Sequence, residues 1–332
     1  MKRDGIVVAV VVFSLLLQIP AASAQNLKTV YIGLVSITPS NAPVLAAAEG
    51  GYFKKQGLDG KPLVMSGSTT ALAAMLSGDV GFINVAGSGL INAYLGGRDA
   101  VMIAGLVNFA PYDLIVAKGI NTIEDLKGKK VGIARFGGSA DFLARYGLEK
   151  NGIKPGRDVT ILQTGGNAER LSAVSQGSIQ ATLLEQGFAY QAKKAGFRSL
   201  LDFSTIGLDY QHSGIATTKS SIAKNPELVT GFLKALIEAT NRYKNDRSFG
   251  IKVLEKHLRI SDLDTLQATD DYYAPKVGAV PYVNLKGVKF LLDTTAESNP
   301  KAKNIKPEEI GDNTLLREIE ASGFLKQVSP GR

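Results

Sequence analysis

The chain has 332 residues, 45% of them apolar and 20% charged, the balance of a soluble globular protein with room for about two domains. It contains no cysteine and only two histidines, which excludes disulfides and thiolate chemistry and leaves no basis for a zinc site or another resident metal. The net charge of +8 is spread along the chain. No Lys/Arg run is interleaved with aromatics, so nucleic acid is not expected as a partner, while a mild positive field helps to collect small anions.

The N-terminus carries a three-part pattern. Lys2 and Arg3 precede a short apolar stretch, residues 6–17, and residues 20–24 end in A-x-A before Gln25. This is the layout of a secretory signal peptide, too short and wrongly flanked for a membrane span. The expectation is a cleaved signal over residues 1–24 and, with no Cys after the cleavage site, no lipid anchor.

From residue 29 to 35 the pattern is a strand, followed by the polar turn Ser36-Ile37-Thr38-Pro39-Ser40-Asn41. Residues 42–49 read as a helix stopped by Gly50-Gly51, and a short segment closes at Gly57. Residues 63–65 form the next strand. The turn Gly67-Ser68-Thr69-Thr70 then opens an apolar helix, because Ser and Thr oxygens accept the orphan N–H groups of a first turn. Residues 82–85 and 101–107 repeat the strand pattern, separated by a second such turn, Ala86-Gly87-Ser88. Strand and helix alternate, as in βα units on a mainly parallel sheet. Asn108 to Tyr112 breaks the rhythm. Residues 114–117 resume as a strand, residues 122–126 as a short capped helix stopped at Gly128, and residues 131–134 restart the alternation. Residues 209–216 read as a return crossing, and the rest is helical. Asn225-Pro226-Glu227 opens an amphipathic helix, Ser261 with Asp264 caps another, and residues 288–296 and 314–321 form two more.

Shifting the chain by 99 positions lays small residues on small and apolar on apolar at several separated places. Ile32-Gly33-Leu34 falls on Val131-Gly132-Ile133, Gly67-Ser68 on Gly166-Asn167, and Ala86-Gly87-Ser88 on Glu185-Gln186-Gly187. Two similar α/β lobes follow, and their strand-to-helix turns are the corners at which open α/β sheets bind ligands. Arg135, beside Gly137-Gly138-Ser139, suits a sulfonate, carboxylate or nitrate, or is an exposed surface arginine. Glu185 either meets a ligand amine or ring N–H or forms a salt bridge between lobes. Phe109, Tyr112, Phe136, Phe188 and Tyr210 flank a flat ligand or pack the core and hinge. His212, next to Ser213 in the return crossing, makes a hinge contact or touches ligand. No G-x-S-x-G elbow or dinucleotide fingerprint is present, so no catalytic residue is assigned.

Several stretches carry a family resemblance. They are Ala46-Ala47-Ala48-Glu49-Gly50-Gly51-Tyr52-Phe53 before Gly57-Leu58, the run from Ser66 to Gly89, Leu126-Lys127-Gly128-Lys129-Lys130-Val131-Gly132, Gly138-Ser139, and the closing Ala321-Ser322-Gly323-Phe324. In that order the chain resembles the SsuA/THI5-like proteins, the periplasmic substrate-binding proteins of ABC importers of nitrate, sulfonate or taurine type. Their fold is shared with thiamine-pyrimidine synthesis proteins. The resemblance implies an α/β, two-lobed periplasmic-binding-protein fold of the second class, each lobe a mainly parallel sheet flanked by helices, with a C-terminal helical tail. Lobe 1 would be residues 25–110 and 214–332, and lobe 2 residues 111–213. It implies a non-enzymatic monomer in the periplasm that passes a small ligand to an inner-membrane permease and uses no cofactor. Carried over by position, the ligand contacts are Ser36, Thr38, Ser68, Thr69, Gly87, Ser88, Arg135, Gly138, Ser139, Asn167 and Glu185. Where many relatives have a Glu-Pro-Trp-like segment, this chain has Glu185-Gln186-Gly187-Phe188 and no Trp at all. The ligand expected is a sulfonate, taurine or nitrate; a pyrimidine or aromatic carboxylate, or a role in presenting ligand to a membrane sensor, are the alternatives. The resemblance also implies a Cys-rich iron motif in the biosynthetic branch, and this chain has no cysteine.

Overall fold

The structure, a computed structural model, describes residues 26–65, 67–258 and 260–328, so the expected signal segment lies outside the described residues. The chain opens with β1 (Lys28–Leu34), a 3-10 turn (Pro39–Asn41), α1 (Ala42–Glu49), α2 (Tyr52–Lys55), β2 (Leu58–Val64), α3 (Ser68–Ser77), β3 (Phe82–Ala86), α4 (Gly87–Leu95) and β4 (Val101–Val107). It continues with β5 (Tyr112–Val116), a 3-10 turn (Glu124–Leu126), β6 (Lys130–Ile133), α5 (Ser139–Lys150), β7 (Thr160–Gln163), α6 (Asn167–Ser175), β8 (Ala181–Glu185), α7 (Gln186–Lys194) and β9 (Arg198–Asp202). After β10 (Ser213–Thr217) come α8 (Lys219–Lys224), α9 (Pro226–Asn245), α10 (Arg247–Leu258), α11 (Leu263–Tyr273), α12 (Leu285–Ser298), α13 (Pro307–Ile310), α14 (Thr314–Ala321) and α15 (Phe324–Val328).

Two five-stranded sheets result, in the orders β2-β1-β3-β10-β4 and β7-β6-β8-β5-β9. In each, four strands run one way and one runs against them: β10 pairs antiparallel with β3 and β4, and β5 with β8 and β9. The strand that breaks the rhythm after β4 therefore starts the second sheet, and the chain returns to complete the first. Burial explains the order. The interior strands β5, β8 and β10 are buried at every residue, as cover on both faces requires, and so is β4 at the sheet's end, whose outer edge is bonded by the Pro281 carbonyl and the Asp312 amide. β2 is buried only at Leu58 and carries Pro62, whose missing N–H an edge strand tolerates.

The echo between the halves is tightest where the strands end. β3 and β8 occupy positions 99 apart at both ends, as do α4 and α7, and β1, β2 and the start of α3 lie 99 before the matching ends of β6, β7 and α6. Both sheets reverse direction of growth between their first and third strands, the switch point where ligands bind.

Some boundaries differ from the sequence reading. β2 starts at Leu58, well before residue 63, because it pairs with β1 along all seven residues. The cap of α11 is Asp262, whose carboxylate accepts the Thr265 N–H at 3.2 Å, in place of Ser261. The segment at 122–126 is a single 3-10 turn held by the Asp125 carboxylate, which accepts the Asn121 and Thr122 amides at 2.9 Å each. The helical tail packs on the first sheet's flank: α9 lies along α1, and Phe232 stacks on Phe82 and Phe53 with ring centroids 3.9 and 5.2 Å apart. No helix among the described residues is long and apolar enough to cross a membrane.

Candidate functional site

The carboxyl ends of β1, β2 and β3 face those of β6, β7 and β8 across a cleft with two chambers. The inner chamber, about 90 Å³, is lined by polar groups of both sheets, among them Ser36, Thr38, Ser40, Asn84, Glu185, His212 and Ser213. The outer chamber, about 560 Å³, is largely apolar, with Val64, Met65, Leu171, Phe188, Leu258 and Ile260 on its walls. Arg135 and Ser36 line both.

Glu185 is the centre of the inner chamber. It ends β8 directly opposite Tyr112 of β5 and is 2% exposed. Its Oε2 accepts from Ser40 Oγ at 2.7 Å and from the Tyr273 hydroxyl at 3.2 Å, and its Oε1 accepts from the Tyr112 hydroxyl at 3.3 Å. Ser40 and Tyr273 come from the side of the first sheet, so the carboxylate ties the two halves together. Burial, reinforced by the Glu185 charge, pushes the Tyr112 and Tyr273 hydroxyls well above their ordinary range and keeps them as proton donors. Ser40 gives its one proton to the carboxylate, so His212 Nε2, 3.1 Å from Ser40 Oγ, is the donor of that contact and Nδ1 accepts from Ser139 Oγ at 3.1 Å. Burial holds the His212 imidazole below its usual range against the opposing pull of Glu185, so it is neutral at pH 7.

Behind this layer Arg170 is fully buried. Its guanidinium donates to the carbonyls of Leu183 and Gly165 at 3.0 and 2.7 Å and to Asn167 Oδ1 at 2.7 Å. Asn167 Oδ1 also accepts the Glu185 amide at 3.1 Å. Asn167 lines the outer chamber, yet its side-chain oxygen is spent on holding Glu185 in place.

The other predicted residues divide. Ser36, Thr38, Ser68, Arg135, Gly138, Ser139, Glu185 and His212 all line the inner chamber. Arg135 is exposed, and its guanidinium has no hydrogen bond or ion pair with any described residue. Gly67 precedes Ser68 with φ of +88°, and a Cβ there would sit 3.2 Å from Arg135 Cγ, so a glycine suits both the turn and the approach of the arginine. Thr69 is exposed and outside the lining of both chambers. Gly87 and Ser88 also stand outside it. A Cβ on Gly87 would meet the Gln211 carbonyl oxygen at 2.5 Å, so its role is packing against the return crossing, and Ser88 donates to the Gly137 carbonyl at 3.1 Å, a contact between the two halves. The amides of the turn that leads into α5 are taken, whereas the Ser139 and Ala140 N–H groups that start the helix have no partner among the described residues. Phe136 N–H goes to Gln163, Gly137 N–H to Asp141 and Gly138 N–H to the Arg135 carbonyl.

Sequence reasoning passed over Ser40, Asn41, Asn84, Arg170 and Tyr273. Ser40 and Asn41 end the polar turn already singled out, and a polar Asn84 inside an apolar strand was a readable signal. Tyr273 arrives from α11, about ninety residues away in sequence, and left none.

The NMT1/THI5-like family profile matches residues 38–246. YtlA of Bacillus subtilis, which carries a binding-protein name, is 21% identical over 304 residues, covering 89% of this chain and 91% of its own. The periplasmic nitrate-binding protein NrtA of Synechocystis PCC 6803 superposes with a TM-score of 0.75 at 15% identity, covering 92% of this chain and 93% of that one. The periplasmic aliphatic sulphonate binding protein SsuA of Escherichia coli gives 0.66 at 20% identity over 85% and 90%. These likenesses show that the two sheets with their helices form the fold of periplasmic binding proteins.

Proposed function

The chain belongs to the NMT1/THI5-like family, and from that premise we propose that it is the solute receptor of an ABC importer. It works in the periplasm as a monomer, closes its two lobes on a small organic molecule, and hands that molecule unchanged to a permease. The observation that carries this reading is the Ser40–Glu185 hydrogen bond of 2.7 Å, buried between groups of opposite sheets at the floor of a cleft that opens into a larger chamber. Such a site assembles only when both halves meet, which is how a hinged receptor couples capture to closure. The relatives whose names specify nitrate or sulphonate support an acidic group on the ligand, and Arg135 at the junction of the chambers is the cation placed to receive it.

A thermal-shift screen of the protein against sulfonates, taurine, nitrate, pyrimidines and aromatic carboxylates tests the reading, since a ligand that binds only the folded state raises its melting temperature. A positive solute should be recovered unchanged after incubation. Arg135→Ala is expected to weaken an acidic ligand about tenfold or more while leaving the unliganded melting temperature unmoved, because the side chain holds nothing else. No shift with any solute would defeat the receptor reading.

A further inference from the structure

The inner chamber holds an acceptor that no described residue satisfies. Asn41 turns its Nδ2 to the Ser36 carbonyl at 2.6 Å, and a carbonyl only accepts, so Asn41 Oδ1 must take the proton offered by Asn84 Nδ2 at 2.6 Å. That fixes the Asn84 amide, and its Oδ1 is buried with no donor. Asn84 is 3% exposed and lines the chamber. Ser213 Oγ, on the same wall and 6% exposed, is equally without a partner. Glu185 adds a carboxylate whose Oε1 has one donor, the Tyr112 hydroxyl, against its two lone pairs. The chamber thus presents an amide oxygen, a carboxylate oxygen and a free hydroxyl. An unpaired buried acceptor is costly until a donor arrives. An anionic head at the floor would face the Glu185 charge beside a neutral imidazole.

Building on the receptor reading, we infer that the end of the ligand buried deepest is an N–H donor, an amine or amidine, and that its body is apolar and fills the outer chamber. The donor serves Asn84 Oδ1 and Glu185; the body lies against Leu171, Phe188, Leu258 and Ile260. Nitrate or taurine would leave most of the roughly 560 Å³ outer chamber to water. An acidic group, where the ligand has one, sits at the junction with Arg135.

Calorimetric titration and thermal shift with a matched series test this on the whole protein: benzylamine and benzamidine, phenylmethanesulfonate and phenylacetate, and the bodiless methylamine, taurine and nitrate. The amine and amidine with a body are expected to bind at least tenfold more tightly than the other members. Glu185→Gln and Asn84→Leu should each lower benzamidine affinity at least tenfold, whereas Thr69→Ala, exposed and outside both chambers, should retain it; the unliganded melting temperature of each variant checks its folding. Anions binding as tightly as the amines, or Glu185→Gln leaving benzamidine unaffected, would overturn the inference and leave the receptor reading intact. If the series is silent, hits of the broader screen decide: those with an N–H donor on an apolar body support the inference, those without one overturn it. Silence in both panels defeats the receptor reading itself.

Discussion

Two buried acids differ in what surrounds them. Glu185 is buried but surrounded by hydroxyl donors. Asp270, on α11, is 3% exposed, has an Oδ1 without a hydrogen-bond partner, and packs so closely that a Cβ on Gly250 would lie 2.4 Å from that oxygen. Burial first, then the neighbouring Asp271, pushes its carboxyl from 3.8 up to about 6, with Arg247 opposing. The folded chain therefore holds this proton more tightly than the unfolded chain does. The proton's stabilising contribution is full below the ordinary value of 3.8 and is lost as the pH climbs through about 6, above which the folded state carries an under-solvated charge. Asp270→Asn is expected to stabilise the protein by about 1–3 kcal/mol at pH 7.5 and to change little at pH 4. Urea unfolding at both pH values reads this directly, and an equal effect at the two would refute the assignment. Legibility at this scale was uneven. Arg135 and Glu185 could be picked out because charge at a strand end is rare and visible. That Asn167 serves Glu185 and that Asn84 carries an idle acceptor depends on who occupies each lone pair, which spacing does not encode.

At the scale of elements the sequence was most informative. Strand identity, the helix starts at Ser68 and Asn167, and the 99-residue echo all follow from local chemistry: apolar runs, Gly plus an N-cap type of residue, and small residues at tight turns. What local chemistry missed was the antiparallel fifth strand in each sheet, because strand direction is a property of topology and not of side-chain pattern. It also missed the contribution of the tail to the site. α11 reaches back to place the Tyr273 hydroxyl on Glu185. α9 buries Val229, Phe232, Leu233, Leu236 and Ile237 on one face, and Phe232 wedges between the rings of Phe53 and Phe82. Removing that ring leaves a cavity the two neighbours cannot close, since each is held by its own element. Phe232→Ala should cost about 3–5 kcal/mol in chemical unfolding. A loss below about 1 kcal/mol would mean that the tail is only loosely joined to the first sheet.

For the molecule as a whole, the exchange of β5 and β10 between sheets makes two chain crossings between the halves, at residues 108–111 and 203–212, and everything else that joins them across the cleft is side-chain contact. The polar links at the cleft floor are Ser40 and the Tyr273 hydroxyl to Glu185, Ser88 to the Gly137 carbonyl, and the His212 ring lying between Ser40 and Ser139, and beside them α7 packs against α11. A hydrogen bond to a charged group contributes about 1.5–3 kcal/mol and a neutral one about 0.5–1.5, so these polar links, beside the apolar packing of α7, are of the size that ligand binding supplies. Ser40 is the most telling residue to remove. Its hydroxyl gives its proton to Glu185 and accepts from His212, so Ser40→Ala breaks two links of the bridge at once. If the bridge holds the halves together, unliganded Ser40→Ala should populate a more open form, seen as a larger radius of gyration in small-angle X-ray scattering. Ligand should restore the compact value. Apparent affinity should fall about tenfold, because affinity scales with the fraction of molecules already competent to bind. Loss of affinity with an unchanged unliganded radius would instead make Ser40 a direct ligand contact, and the closing energy would have to be sought at Ser88 and Gly137.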